Sequence, residues 1–121
     1  MGSLVSKAAQ DRVLRCISIG KKEGARLVTG GEPTSTEDMK GGYLADVKQS
    51  ITIASEEIFG PFMSVLTWTD EEELFKQVND VEYDLTRAIF TSDITTAQKA
   101  IGWVETGTMR VNTVATHFLS L

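Results

Sequence analysis

The fold of this chain is set by residues 62–112, FMSVLTWTDEEELFKQVNDVEYDLTRAIFTSDITTAQKAIGWVETGTMRVN. In this stretch, short runs rich in apolar and β-branched residues alternate with segments of helical periodicity. The predicted elements are strands at 62–68, 87–91 and 108–112 and helices at 70–79 and 92–106. Because strands joined by such helices run parallel, the order predicts an α/β fold. We expect a partial three-layer sheet of mostly parallel strands with crossover helices.

The residues before this stretch predict fewer regular elements. A helix is expected at 6–24, with Ser6 as its N-cap, and a short strand comes after it at 25–29. Residues 32–42 are rich in polar and turn-forming residues and predict a surface loop. Residues 43–50 match no single pattern. Residues 51–53 predict either a strand or an extended entry to the next segment of the chain.

Length and composition exclude several classes of protein. With 121 residues, 41% apolar and 24% charged, the chain is expected to be a single globular domain over 1–121. The net charge of −5 argues against nucleic acid as a main partner. One cysteine and one histidine exclude an internal disulfide and a structural zinc site, so no metal site is predicted. Without a long apolar run or a signal-peptide layout, we expect a cytoplasmic protein with no membrane partner.

Few side chains suggest catalysis by their chemistry alone. Cys16 lies in the middle of a predicted helix beside Ile17, where a packed structural thiol is the expected role. His117 has no second histidine or cysteine near it in the sequence and is expected to be a surface or packed residue. No catalytic residue is therefore predicted.

Residues 56–61, EEIFGP, combine two carboxylates, an aromatic ring and a Gly-Pro bend. On spacing alone, the simpler interpretation is an acidic helix start, with Phe59 in the core and a turn at Gly60 and Pro61. The functional interpretation is a carboxylate that accepts hydrogen bonds from ligand hydroxyls, beside a ring that stacks on a planar group. Spacing favours the first interpretation without excluding the second.

The six residues 56–61 match the E-E-x-F-G-P motif of one enzyme family in full. Shorter matches occur in the same order along nearly the whole chain, at 4–7, 11–13, 22–25, 30–31, 79–91, 107–108 and 111–112. On these motifs, the chain resembles the NAD(P)-dependent aldehyde dehydrogenase superfamily, with betaine-aldehyde-type members nearest. The resemblance implies the C-terminal part of the family's catalytic domain, and a reaction that oxidises an aldehyde to a carboxylate.

The resemblance also implies roles for four residues. Glu57 would accept hydrogen bonds from the nicotinamide ribose hydroxyls, and Phe59 would pack beside the nicotinamide ring. Asn112 and Phe118 would border the substrate tunnel. The implied cofactor is NAD or NADP. The family's nucleophilic cysteine, its general base and its glycine-rich pyrophosphate turn match nothing in this sequence.

The resemblance leads to three functional hypotheses. The first is an aldehyde dehydrogenase-like oxidoreductase segment that is truncated and inactive alone, because nucleophile and base are missing. The second is a pseudoenzyme that acts as a self-association or interaction module. The third, ranked lowest, is a weak nucleotide binder that uses Glu57 and Phe59. Independently of these hypotheses, we expect a homo-oligomer, most simply a dimer, because an exposed edge of a parallel sheet can pair with a strand of a second chain. A separate complementing polypeptide is a further possible partner.

Overall fold

The computed structural model describes residues 4–34 and 40–113. The chain divides into two compact units, Met1–Trp68 and Thr69–Leu121. The first unit contains helix α1 (Lys7–Lys22), strands β1 (Arg26–Thr29) and β2 (Gly42–Ala45), helix α2 (Thr52–Ser55) and strand β3 (Phe62–Ser64). The second contains helix α3 (Glu71–Asn79), strand β4 (Arg87–Ile89), helix α4 (Ile94–Trp103) and strand β5 (Met109–Val111). A single domain over 1–121 stays a prediction.

Helix α1 forms where the sequence predicts it. The Ser6 hydroxyl accepts a hydrogen bond from the Ala9 N–H at 3.2 Å, which satisfies one of the free donors of the first turn. One stripe of the helix is buried: Gln10, Val13, Cys16, Ile17 and Gly20. The two lysines of its last turn suit the negative end of the helix dipole. Among the helices of the described part, none is long and apolar enough to cross a membrane.

The sheet of the first unit has the strand order β1-β2-β3. Strands β1 and β2 are antiparallel, with Leu27 opposite Leu44, and β2 and β3 are parallel, with Tyr43 opposite Met63. Leu44 is fully buried and Leu27 packs against the same core, so this face of the sheet points towards the hydrophobic core. The buried core residues of this unit are Val13, Cys16, Ile17, Ala25, Leu44, Val47, Ile51 and Ile53.

The second unit is a strand–helix–strand crossover preceded by a helix. Strands β4 and β5 are parallel, with Ala88 opposite Arg110, and α4 connects them. Both helices begin with a capping aspartate. Asp70 accepts a hydrogen bond from the Glu73 N–H at 2.8 Å, and Asp93 accepts from two N–H groups of the first turn of α4.

The structure confirms the α/β class and corrects several details. The β2–β3 and β4–β5 pairs are parallel, whereas β1–β2 is antiparallel. Among the described strands, β3 pairs with β2 in the first unit, and β4 pairs with β5 in the second. The expectation of a strand or an extended segment at 51–53 holds only for Ile51, whose backbone is extended, and is wrong for 52–53, because a one-turn helix begins at Thr52. The predicted strand at 62–68 is regular only over 62–64.

Candidate functional site

Residues 56–61, here called the EEIFGP loop, connect α2 to β3 within the first unit. The loop comes after the C-terminus of α2 and does not begin a helix, so the predicted acidic helix start is wrong. At its far end the Pro61 carbonyl accepts a hydrogen bond from the N–H of Gly42, the residue that starts β2, at 2.9 Å. The loop is therefore attached to the sheet where β2 and β3 begin.

The middle of the loop lies against α1. Gly60 has a φ of +151°, and a Cβ atom there would be 2.5 Å from a methyl group of the fully buried Val13. Only glycine allows this close approach of backbone to helix. Beside it, the Arg12 guanidinium lies 5.9 Å from the centroid of the Phe59 ring, within the range of a cation–π interaction.

The two residues assigned to the cofactor are both accessible. Phe59 is 64% exposed, so the interpretation that places it in the core is wrong. Its ring is displayed at the surface because the loop turns at Gly60 and because Pro61, not Phe59, is buried. The Glu57 carboxylate is exposed two residues before Phe59. A carboxylate and an aromatic ring are thus presented by one short loop, as a ribose and a planar heterocycle require.

Cys16 has the surroundings of a structural thiol. It is 3% exposed on α1, with its Sγ 4.0 Å from Oε2 of Glu56. Burial raises the pKa of the Cys16 thiol, and the negative charge of Glu56 raises it further, while the positive charges of Arg15 and Arg12 lower it by smaller amounts. A nucleophilic cysteine requires the reverse, an accessible thiol whose pKa is lowered.

Asn112 has a clear structural role in the second unit. Its Oδ1 accepts a hydrogen bond from the Thr91 N–H and its Nδ2 donates to the Thr91 carbonyl, both at 2.9 Å. Its φ of +55° is one that asparagine tolerates better than most residues. The side chain therefore joins the ends of β4 and β5, and its predicted position beside a substrate tunnel stays a prediction. Phe118 and His117 lie outside the described residues.

Two residues that the sequence did not single out contact the EEIFGP loop or the helix before it. Arg12 lies over Phe59, and Glu23 accepts hydrogen bonds from Thr52 at the start of α2. Both lie on or next to α1, more than 25 residues from their partners. No local pattern links such pairs, and only the matched motif positions at 11–13 and 22–25 could have drawn attention to them.

A groove of about 490 Å³ lies on the side of α1 towards β1, with Leu14, Ile17 and Leu27 in its lining. Neither Glu57 nor Phe59 lines it. The concavity and the predicted cofactor-side residues are therefore separate features of the first unit.

Comparison with known proteins gives a consistent match along the chain. A family model described as "Aldehyde dehydrogenase family" matches residues 1–120. The aldehyde dehydrogenase tropH of Talaromyces stipitatus is 52% identical over an alignment of 130 residues that covers 100% of this chain and 25% of the relative. A betaine aldehyde dehydrogenase of Sinorhizobium fredii is 45% identical over 118 residues, 93% of this chain and 24% of its own length.

Solved structures give the same result for the fold. Lactaldehyde dehydrogenase from Escherichia coli superposes with a TM-score of 0.91 at 33% identity, over 97% of this chain and 25% of that one. The NAD⁺ complex of an aldehyde dehydrogenase from Bacillus cereus superposes with a TM-score of 0.90 at 37% identity, over 97% and 24%. The chain thus spans about a quarter of the length of the curated relatives that it matches.

Proposed function

Since the chain belongs to the aldehyde dehydrogenase family, we propose that it is an oxidoreductase segment that keeps the family's cofactor-side loop but does not oxidise aldehydes by itself. It matches about a quarter of its relatives' length, so their activities are not transferred to it as a whole. Aldehyde oxidation requires a nucleophile that attacks the aldehyde carbon, a hydride acceptor and a base that activates water. The proposal depends on which of these this chain supplies.

The state of Cys16 is the observation that carries the proposal. It is the one cysteine in the sequence, and it is 3% exposed with a raised pKa. An aldehyde cannot reach its sulfur, and little thiolate would be present at neutral pH. The first chemical step therefore has no nucleophile in this chain, and removal of such a group costs many orders of magnitude in rate.

The residues present nevertheless fit one part of the cofactor. Glu57 could accept hydrogen bonds from ribose hydroxyls, and Phe59 offers an exposed ring for the nicotinamide, whose role when bound is to accept a hydride. Solved structures of similar fold include NAD⁺ complexes of aldehyde dehydrogenases from Bacillus cereus and Mycobacterium tuberculosis. The sequence contains no glycine-rich G-x-G-x-x-G turn for the pyrophosphate, so we expect any binding of NAD or NADP to be weak.

The experiment that tests the proposal is an assay of the purified chain. We expect no aldehyde-dependent rise in NADH or NADPH absorbance with betaine aldehyde or with simple aliphatic aldehydes. A rise that needs both aldehyde and NAD or NADP would contradict the proposal, and its loss in Cys16→Ala would identify Cys16 as the nucleophile. In parallel, titration with NAD to millimolar concentration, monitored by NMR signals of the EEIFGP loop, measures the residual nucleotide affinity.

A second candidate function, self-association, is favoured by the outer face of the sheet in the first unit. Large apolar side chains are exposed on this face: Val28, Tyr43, Met63 and Val65 are 55%, 44%, 48% and 41% exposed. Parallel strands such as β2 and β3 are normally covered on both faces, and a second copy of the chain could cover this one. Under this proposal the protein is a non-catalytic homodimer, and we place it in the cytoplasm. A complementing polypeptide is the alternative occupant of the same face.

A further inference from the structure

Glu23 connects two helices that are far apart in the sequence. Its Oε2 accepts a hydrogen bond from the Thr52 N–H at 2.8 Å, and its Oε1 accepts one from the Thr52 hydroxyl at 2.7 Å. Glu23 comes directly after α1, and Thr52 is the first residue of α2. One carboxylate therefore binds both donors of a single residue and attaches the start of α2 to the end of α1.

Helix α2 needs the hydrogen bonds from Glu23 because it has few stabilising contacts within itself. It is one turn long, and Ile51 at its N-cap provides no side-chain hydrogen bond to the free N–H groups. A single turn is unstable without outside contacts, since nucleation of a helix fixes several dihedral angles for one hydrogen bond. The two charge-assisted bonds from Glu23 supply the missing acceptor.

The position of α2 determines where the EEIFGP loop begins. Ile53 is buried against α1, and a Cβ atom on Gly20 would be 2.5 Å from the Cδ1 of Ile53, so the two helices are in close contact. Glu56 comes next as the C-cap of α2, with its N–H donating to the Thr52 carbonyl at 3.1 Å. Thr52 is thus bonded to Glu23 on one side and to the first residue of the loop on the other.

From this chain of contacts we infer that Glu23 is a positioning residue, which holds Glu57 and Phe59 in the orientation that a nucleotide would meet. The inference rests on the proposed cofactor-side role of those two residues. Glu23 contacts no ligand itself and acts through Thr52 and α2. Arg12, in the N-terminal half of α1, lies over the Phe59 ring of the same loop.

The test is NMR of the whole ¹⁵N-labelled chain carrying Glu23→Gln. The glutamine has nearly the same shape, and the Thr52 hydroxyl can rotate to accept from its amide nitrogen, so the substitution removes the charge that strengthens both hydrogen bonds. We expect amide exchange of Thr52 to accelerate about tenfold, the signals of Phe59 and Gly60 to shift, and NAD affinity to fall about tenfold. Glu32→Gln is the matched control, since it removes the same charge from an exposed residue of the same unit, and it should leave these signals in place.

Faster exchange of Thr52 with unchanged loop signals would overturn the inference, because Glu23 would then stabilise α2 alone. If Glu23→Gln does not fold, Thr52→Val removes one of the two hydrogen bonds and must shift the same loop signals. If the wild-type chain binds no NAD at millimolar concentration, the proposed cofactor role fails. The loop signals would still decide whether Glu23 positions the EEIFGP loop.

Discussion

Cys16 shows how the setting of one side chain decides its chemistry. Because burial and Glu56 raise the thiol pKa above its ordinary value of 9.0, the folded state favours the protonated thiol. This contribution to stability is fully present below the ordinary pKa and is lost as the pH rises through the folded-state pKa. In urea titrations, the free energy of unfolding of the wild type should therefore fall by up to about 1.4 kcal/mol per pH unit more than that of Cys16→Ala. This difference is expected at alkaline pH, between the ordinary and the folded-state pKa of the thiol. Identical pH slopes for the two proteins would contradict the assignment.

Gly60 is a second residue at which one atom, the Cβ that glycine lacks, affects the stability of the protein. We expect Gly60→Ala to lower the free energy of unfolding by about 2–3 kcal/mol, because the new Cβ meets buried Val13 and the φ of +151° is strained for alanine. Gly24→Ala is the matched control, with a φ of +102° and no atom within 4 Å of the new Cβ. It should cost only about 1 kcal/mol. Equal losses in chemical denaturation would show that the contact with Val13 adds nothing.

The sequence predicted the surroundings of Cys16 correctly but those of Phe59 only in part. The EEIFGP motif was specific enough to single out Glu57 and Phe59, but spacing alone placed Phe59 in the core. Its exposure depends on the packing of Gly60 against Val13, a contact between residues 47 positions apart. Cys16 was predicted correctly as a packed thiol, because the apolar stripe that buries it is a local feature of one helix.

Among the elements, helices with local signals were predictable and α2 was not. Caps, apolar stripes and acidic first turns lie within a few residues of each other, so α1, α3 and α4 appear close to their predicted bounds. Helix α2 depends on an acceptor from Glu23, 29 residues earlier, and the pattern at 51–53 carries no sign of it. The β2–β3 pair gave no local signal for the same reason, since Gly42 pairs with Phe62 across a helix and a loop. The parallel β4–β5 pair, joined by α4, has the arrangement that the sequence predicts.

Two glycines within helices, Gly20 and Gly102, test how the close contact between α1 and α2 affects stability. Gly20→Ala in α1 should destabilise the protein by about 1–3 kcal/mol, because its Cβ would be 2.5 Å from Ile53 and 2.9 Å from Leu44. Gly102→Ala in α4 meets nothing within 4 Å and should stabilise by up to about 1 kcal/mol through helix propensity. Thermal and urea denaturation would measure both. The same sign for both variants would contradict this account of the α1–α2 contact.

For the molecule as a whole, the outer face of the first unit's sheet gives the most direct test of self-association. Sedimentation and light scattering of the wild type should show a dimer that dissociates on dilution. Tyr43→Lys places a charge at the centre of the face without disturbing the core, since Tyr43 is 44% exposed, and should raise the dimer dissociation constant at least about tenfold. Ser50→Lys adds the same charge at an exposed turn and should leave it unchanged. A wild type that stays monomeric at every concentration would contradict self-association. The complementing polypeptide would then remain as the expected occupant of the apolar face.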